Sequence, residues 1–181
     1  MSEELIIRHC SPTLAGMKTA NMFTCPCRDA EELKGNIRRL NRVLVKKGLR
    51  VLPLRFQNGR ALIYVYRPSH LSRDLQADDA DRLLRERGYH CDSPERCIVH
   101  LIRRLDNTKD FPHEIGLFLG YPPEDVEGFI ENKICKCSGP WKVYGDETAA
   151  KKRFAQYKKC TSVYCAKWLA GRSMERLTVA G

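Results

Sequence analysis

A chain of 181 residues with 43% hydrophobic and 30% charged side chains can bury most of its unfolded surface in one core. It reads as a single domain over 1–181, and the balance excludes intrinsic disorder. The longest apolar run, 61–66, is too short to cross a bilayer, no basic leader precedes a long apolar stretch at the start, and nine cysteines without an export signal read as reduced thiols. A cytoplasmic protein with a net charge of +10 and no membrane contact is therefore expected.

Residues 3–9 read as a short strand, apolar at Leu5, Ile6 and Ile7. Ser11 then offers an N-cap with Pro12 at the first helical position, so a helix is expected to run to about residue 23. Cys25-Pro26-Cys27 breaks it. Asp29 caps the next helix, Glu31 and Glu32 suit its positive end, and Gly48 stops it. Leu33, Ile37, Leu40 and Leu44 share one face of that helix, whereas Arg38, Arg39, Arg42 and Lys46 share the opposite one.

Segments 49–56 and 60–67 flank Gln57-Asn58-Gly59, and Asn-Gly between apolar runs is a strong hairpin signal. Ala61, Ile63 and Val65 alternate with Leu62, Tyr64 and Tyr66, so both faces of the second strand should be covered. Helices follow at about 69–76 and 78–87. Ser93-Pro94-Glu95 opens another that runs to about 105. Two short helices, 112–119 and 123–132, each start on a proline. An irregular link over 133–140, a short strand at 141–144 and a long helix over 147–170 complete the chain. The last helix carries Phe154, Tyr157, Thr161, Tyr164 and Trp168 at helical spacing, a stripe suited to core packing. The fold class expected is α+β: a predominantly helical domain around a small, mainly antiparallel sheet built on the 49–67 hairpin.

Charge is unevenly placed. From Lys34 to Arg73 there are eleven Lys or Arg residues and no Asp or Glu. Such a field draws phosphates, a carboxylate-bearing cofactor, nucleic acid or an acidic protein. A bland reading stands beside it, in which Asp74, Asp78, Asp79 and Asp81 balance the charge in space.

Three constellations could carry chemistry. With Ser11 as N-cap, Cys10 would sit at the positive end of a helix beside His9, which favours thiolate and exposes N–H groups to an anionic ligand. His113 and Glu114 fall in the first turn opened by Pro112. A Cys10/His113 pair would satisfy nucleophile-and-base logic, though Glu114 also suits a helix start without any function. Two Cys-x-Cys pairs, Cys25/Cys27 and Cys135/Cys137, could converge on zinc or an iron–sulfur cluster; their spacing is shorter than structural zinc sites use, so the signal is weak. Cys91/Cys97 and Cys160/Cys165 are weaker still. Gly116, Gly120, Val126 and Phe129 match a helix-turn-helix spacing, but Glu124, Asp125, Glu127 and Glu131 would repel phosphate. Any nucleic acid would have to bind residues 34–73, with Tyr64 and Tyr66 available for stacking.

Four blocks carry a family resemblance: 9–23, starting His-Cys-Ser-Pro; Leu62-Ile-Tyr-Val-Tyr-Arg67; 111–132; and Gly139-Pro-Trp-Lys-Val-Tyr144. Together they resemble the bacterial family catalogued as domain of unknown function 3793, found chiefly in anaerobic Firmicutes. The resemblance implies a setting among iron-responsive genes, including flavodoxin and ferrous-iron uptake, and hence iron, haem or flavin-linked redox metabolism. It carries no assigned reaction, and the Cys-x-Cys pairs are not part of its pattern.

The leading expectation is binding of a small anionic ligand or cofactor, with thiol-dependent chemistry as an option. Cys10 would be the reactive group, His113 the acid, base or ligand, and Glu114 its orienting partner. His9, Ser11, Lys18, Tyr66 and Arg67 would supply charge and hydrogen bonds. The first alternative is a non-enzymatic adaptor that docks an acidic redox partner such as flavodoxin through Arg38, Arg39, Arg42 and Lys46. The second is nucleic-acid binding through 34–73.

Overall fold

The computed structural model describes residues 2–90, 92–107 and 111–181; Cys91, and with it the Cys91/Cys97 pairing, lies outside them. The chain divides into two compact units, Met1–Ser69 with Tyr157–Gly181, and His70–Gln156. The divisions fall inside helices, where no linker composition marks them.

The first unit starts with helix α1 (Glu3–Leu14), where a strand is expected over 3–9 and a helix start at Ser11. Glu3 and Glu4 occupy its first turn, favourable against the helix dipole. Ile6, Ile7, Cys10 and Leu14 recur at helical spacing and are all buried. Pro12 therefore lies within the helix, near its end. The Ser11 hydroxyl turns back to the Ile7 carbonyl rather than capping the N–H groups ahead of it. Gly16, at φ 73°, closes the helix: Met17 N–H donates to the Pro12 carbonyl at 2.9 Å and Gly16 N–H to that of Thr13 at 3.2 Å, the paired bonds of a glycine-terminated helix. With the helix already ended, Ala20–Pro26 forms strand β1, where helix was expected, with Phe23 and Cys25 turned inward and Thr24 outward.

Helix α2 (Ala30–Leu44) follows, and the Asp29 carboxylate accepts from Glu31 N–H at 2.8 Å and Glu32 N–H at 3.1 Å, the N-cap its sequence announces. A 3₁₀ turn at Val45–Lys47 leads to β2 (Arg50–Gln57) and β3 (Arg60–Tyr66). Asn58 and Gly59 both have positive φ, as the tight hairpin turn requires. The antiparallel sheet has the order β1-β3-β2, with Phe23 opposite Ile63 and Val51 opposite Val65. Asn41 ties α2 to the edge strand, donating to the Val51 carbonyl and accepting its N–H, each at 2.9 Å. The core of this unit joins Ile6, Cys10, Leu14, Leu33, Ile37 and Leu44 to Ala61, Ile63 and Val65. Met174 and Leu177 of the short helix α9 (Met174–Leu177) complete it, and Tyr164 and Trp168 pack against it. These last two ride on helix α8 (Glu147–Leu169), so that end of the aromatic stripe is core.

The second unit holds most of helix α3 (Pro68–Leu75), α4 (Asp78–Glu86), α5 (Pro94–Asn107), α6 (Ile115–Phe118) and α7 (Pro123–Ile130). It also holds the short hairpin of β4 (Cys137–Ser138) and β5 (Lys142–Val143) and the first turns of α8. Helix α6 begins three residues later than expected. Residues 112–117 are first wound by i→i+3 bonds, from Ile115 N–H to the Pro112 carbonyl at 3.2 Å and from Leu117 N–H to that of Glu114 at 3.0 Å. Helix α7 packs on α4, α6 and β5, and Arg82 of α4 pairs with Glu127 of α7 at 2.9 Å. The architecture is α+β, a small antiparallel sheet and a hairpin among helices. Among the described residues no helix is long and apolar enough to cross a membrane.

Candidate functional site

In the first unit the proposed ligand-binding residues are buried, His9 excepted. Cys10 is fully buried, in the third turn of α1 and not at its N-terminus. Burial, only partly offset by the Lys18 ammonium, pushes its thiol well above the ordinary value of 9.0, the reverse of an activated thiolate. Ser11 is buried as well, with its hydroxyl on the Ile7 carbonyl. Lys18 is only 6% exposed, and burial pulls its ammonium down to about 8. His9 is exposed and stacks flat on Phe23, with ring centres 5.1 Å apart. Tyr66 is buried and stacked on Tyr64 at 4.8 Å.

Arg67 has the clearest task. Its Nε donates to the Thr13 carbonyl at 2.8 Å, and one terminal nitrogen donates to those of Leu14 at 2.8 Å and Val179 at 2.7 Å. A guanidinium thus caps the negative end of α1 and clips the last residues onto it. It is 1% exposed, so it offers no surface to a ligand.

The expected partners of Cys10 lie in the second unit, where they have surroundings of their own. Glu114 is buried and accepts from the Tyr89 hydroxyl at 3.0 Å. Arg104 Nε lies 2.7 Å from its Oε1, an ion pair without hydrogen-bond alignment. His100 stacks on the Tyr89 ring at 4.2 Å, and burial together with Arg104 and Arg103 holds its imidazole below the ordinary value. Glu114 therefore anchors the turn before α6 onto α5.

Its neighbour His113 points elsewhere. The ring is exposed and meets the edge of Phe129 of α7 at 4.9 Å, on the wall of a cleft of about 440 Å³. Phe111, Tyr121, Val126, Phe129 and Trp141 supply most of the lining, and Ser138 and Lys142 come from the hairpin. The Lys142 ammonium sits over the Phe129 ring at 5.3 Å, a cation–π contact.

The cleft is rigidly built. Trp141 stacks on Tyr121 at 4.8 Å and meets Phe154 edge-on at 4.5 Å. Buried Asp125 holds the hairpin in place: it accepts from Trp141 Nε1 at 2.7 Å, Tyr144 N–H at 2.6 Å and Gly145 N–H at 2.8 Å. Three N–H donors satisfy that carboxylate. Gly116 lets α6 close on α7, because a Cβ there would stand 2.8 Å from Val126 Cγ2. The polar groups left facing the space are His113, Ser138 and Lys142. Neither His113 nor Lys142 has an ion-pair partner among the described residues.

Sequence reasoning singled out His113 but missed Tyr121, Phe129, Trp141 and Lys142 as its companions. A signal was present: two of the blocks that carry the family resemblance, 111–132 and 139–144, supply these walls. As for metals, no three His, Cys, Asp or Glu side chains are grouped to hold an ion among the described residues. Cys25 is buried, while Cys27, Cys135 and Cys137 are half-buried free thiols. Arg38, Arg39, Arg42 and Lys46 are all exposed along α2 and the 3₁₀ turn.

A family model described as "protein of unknown function (DUF3793)" matches residues 6–178, and the chain belongs to that family. No curated protein and no solved structure matches it.

Proposed function

We propose that this protein binds a small, flat, anionic ligand in the aromatic cleft of its second unit. The observation that carries this reading is the lining itself: four aromatic rings from three chain segments, with His113 and Lys142 as ionisable groups that have no ion-pair partner among the described residues. Such a space, largely apolar with a few convergent polar groups, is the usual form of a small-molecule site. Rings of Phe111, Tyr121, Phe129 and Trp141 favour a planar π-system by stacking. Lys142, with His113 when protonated, favours a carboxylate or phosphate on that ligand. A flavin or a haem has both features, a flat conjugated ring and anionic side groups, so the lining fits either one. A bare iron ion fits it poorly, since carboxylate, thiolate and imidazole donors are not grouped there. Cys10 plays no part, because it is sealed in the core of the other unit.

Titration with flavin mononucleotide, and separately with ferric haem, tests the proposal through the fluorescence of Trp141, read in a Trp168→Phe background because the chain has two tryptophans. Saturable quenching is expected with at least one of them. Lys142→Ala, at an exposed position, should weaken it about tenfold, the worth of one charge-assisted hydrogen bond. Phe129→Ala should weaken it further. Unsaturable quenching, or affinities identical in wild type and both variants, would remove the cleft as the binding site.

A further inference from the structure

A second surface, independent of the cleft, lies along α2. Lys34, Arg38, Arg42 and Lys46 follow one another at four-residue spacing, the last in the 3₁₀ turn that prolongs the helix. Four residues rise about 6 Å, so the row extends for about 18 Å. Lys34 is held by Glu31 at 2.7 Å and lies over the exposed ring of Phe56 at 5.8 Å. Arg38, Arg42 and Lys46 are exposed and make no ion pair among the described residues. The acidic run that could have balanced them is in part spent locally, with Asp74 on Arg73 and Asp81 on Arg85.

We propose that this row docks an acidic α-helix of a partner protein. Charge and spacing both argue for it. A helix with Asp or Glu at every fourth position repeats its charge at the same interval of about 6 Å, and complementary rows of this kind give specificity and association rate. The apolar groups at the two ends of the row, Phe56 at 39% and Val45 at 48% exposure, are the sort that anchor protein contacts. Nucleic acid fits less well. Carboxylates border the positive row: Glu31 and Glu32 at its start, and Glu3 and Glu175 in the shallow hollow beside Arg39. A phosphate backbone laid across it would meet these as well.

The test uses the full chain and a labelled helical peptide of about four turns, Ala-rich, with Glu at every fourth position and Leu near each end. A control peptide has the same composition with its Glu residues spread around the helix, and oligothymidine is the third probe. Anisotropy should show saturable, salt-sensitive binding of the patterned peptide, at least about tenfold tighter than of the control. The double change Arg38→Glu/Arg42→Glu should abolish it, and Arg38→Gln/Arg42→Gln should weaken it to an intermediate degree. Absence of binding at low salt, equal affinity for both peptides, or tighter binding of oligothymidine would each overturn the proposal. The cleft reading stands or falls separately, since neither variant touches it.

Discussion

On paper two corners of this chain look alike: His9-Cys10-Ser11-Pro12 and Phe111-Pro112-His113-Glu114 each set an imidazole within three residues of a proline. In the first unit the corner is absorbed into α1. Cys10 and Ser11 are buried, and only His9, stacked on Phe23, remains exposed. In the second unit the corner stays outside its helix, in a turn of i→i+3 bonds, and splits its two ionisable groups between opposite duties. Glu114 goes inward to Arg104 and Tyr89, and His113 goes outward to the cleft. The difference lies in where each proline falls. Glu3 and Glu4 start a helix with buried Ile6 and Ile7 that is already two turns old at Pro12, whereas Pro112 stands three residues ahead of α6. A proline can precede a helix or be carried near the end of one.

The largest effects should come from breaking the buried ions that hold each corner. Arg67→Met removes three charge-assisted hydrogen bonds, although the Thr13 and Leu14 carbonyls keep the N–H groups of Gly16 and Val179, and should cost about 3–5 kcal/mol in denaturant unfolding. Glu114→Ala should cost less, about 2–3 kcal/mol, because Arg104 keeps about a third of its side chain in water. Equal and small losses in both variants would mean that neither ion organises its unit.

A middle-sized effect sharpens the picture of the first unit's core. Unfolded, Lys18 holds its proton up to its ordinary value of 10.5, and folded only to about 8. Between those values this group makes unfolding take up a proton, and its own contribution to stability should rise by about 1 kcal/mol from pH 8 to 9. The thiols of Cys10, Cys25 and Cys160, which burial holds above their ordinary value of 9.0, act the other way, because unfolding releases their protons as pH rises through that value. Lys18→Met should therefore fall behind the wild type by that amount over the interval, and Cys10→Ala should remove part of the opposition. Parallel stability profiles of wild type and Lys18→Met from pH 8 to 9 would remove the buried ammonium.

The smallest effects compare the corners directly. His113→Ala should change stability by less than about 0.5 kcal/mol, as expected at an exposed position, while reducing ligand affinity in the cleft. Cys10 should resist iodoacetamide in the folded protein while half-buried Cys27, Cys135 and Cys137 react. Rapid labelling of Cys10 under native conditions would show that the first corner opens after all.

Much of the architecture was legible before folding was considered. Asp29 with Glu31 and Glu32, the Asn58-Gly59 turn, Ser93-Pro94 and Pro123 are local signals whose hydrogen bonds form within a few residues of themselves. Most element types of 30–169 follow from them, as does the basic row on α2, which needs only the period of a helix; β4 forms where an irregular link is expected over 133–140. The first 26 residues were misread because Ser11-Pro12 is a locally sound helix start. It was outweighed by the Ile6, Ile7, Cys10 and Leu14 stripe, which packs with Phe23, Val51, Ile63 and Val65 in the core.

What this sequence determined alone was its fold class, its hairpin and its excess of positive charge, all consequences of short-range stereochemistry and composition. Tertiary structure alone decided that Arg67 would cap a helix more than fifty residues earlier in the chain, that Asp125 would gather Trp141, Tyr144 and Gly145 around itself, and that four separated aromatic residues would share one hollow. Those outcomes rest on contacts between distant residues, and burial, which sets the charge state of Lys18 and Cys10 alike, exists only once the chain has closed around them.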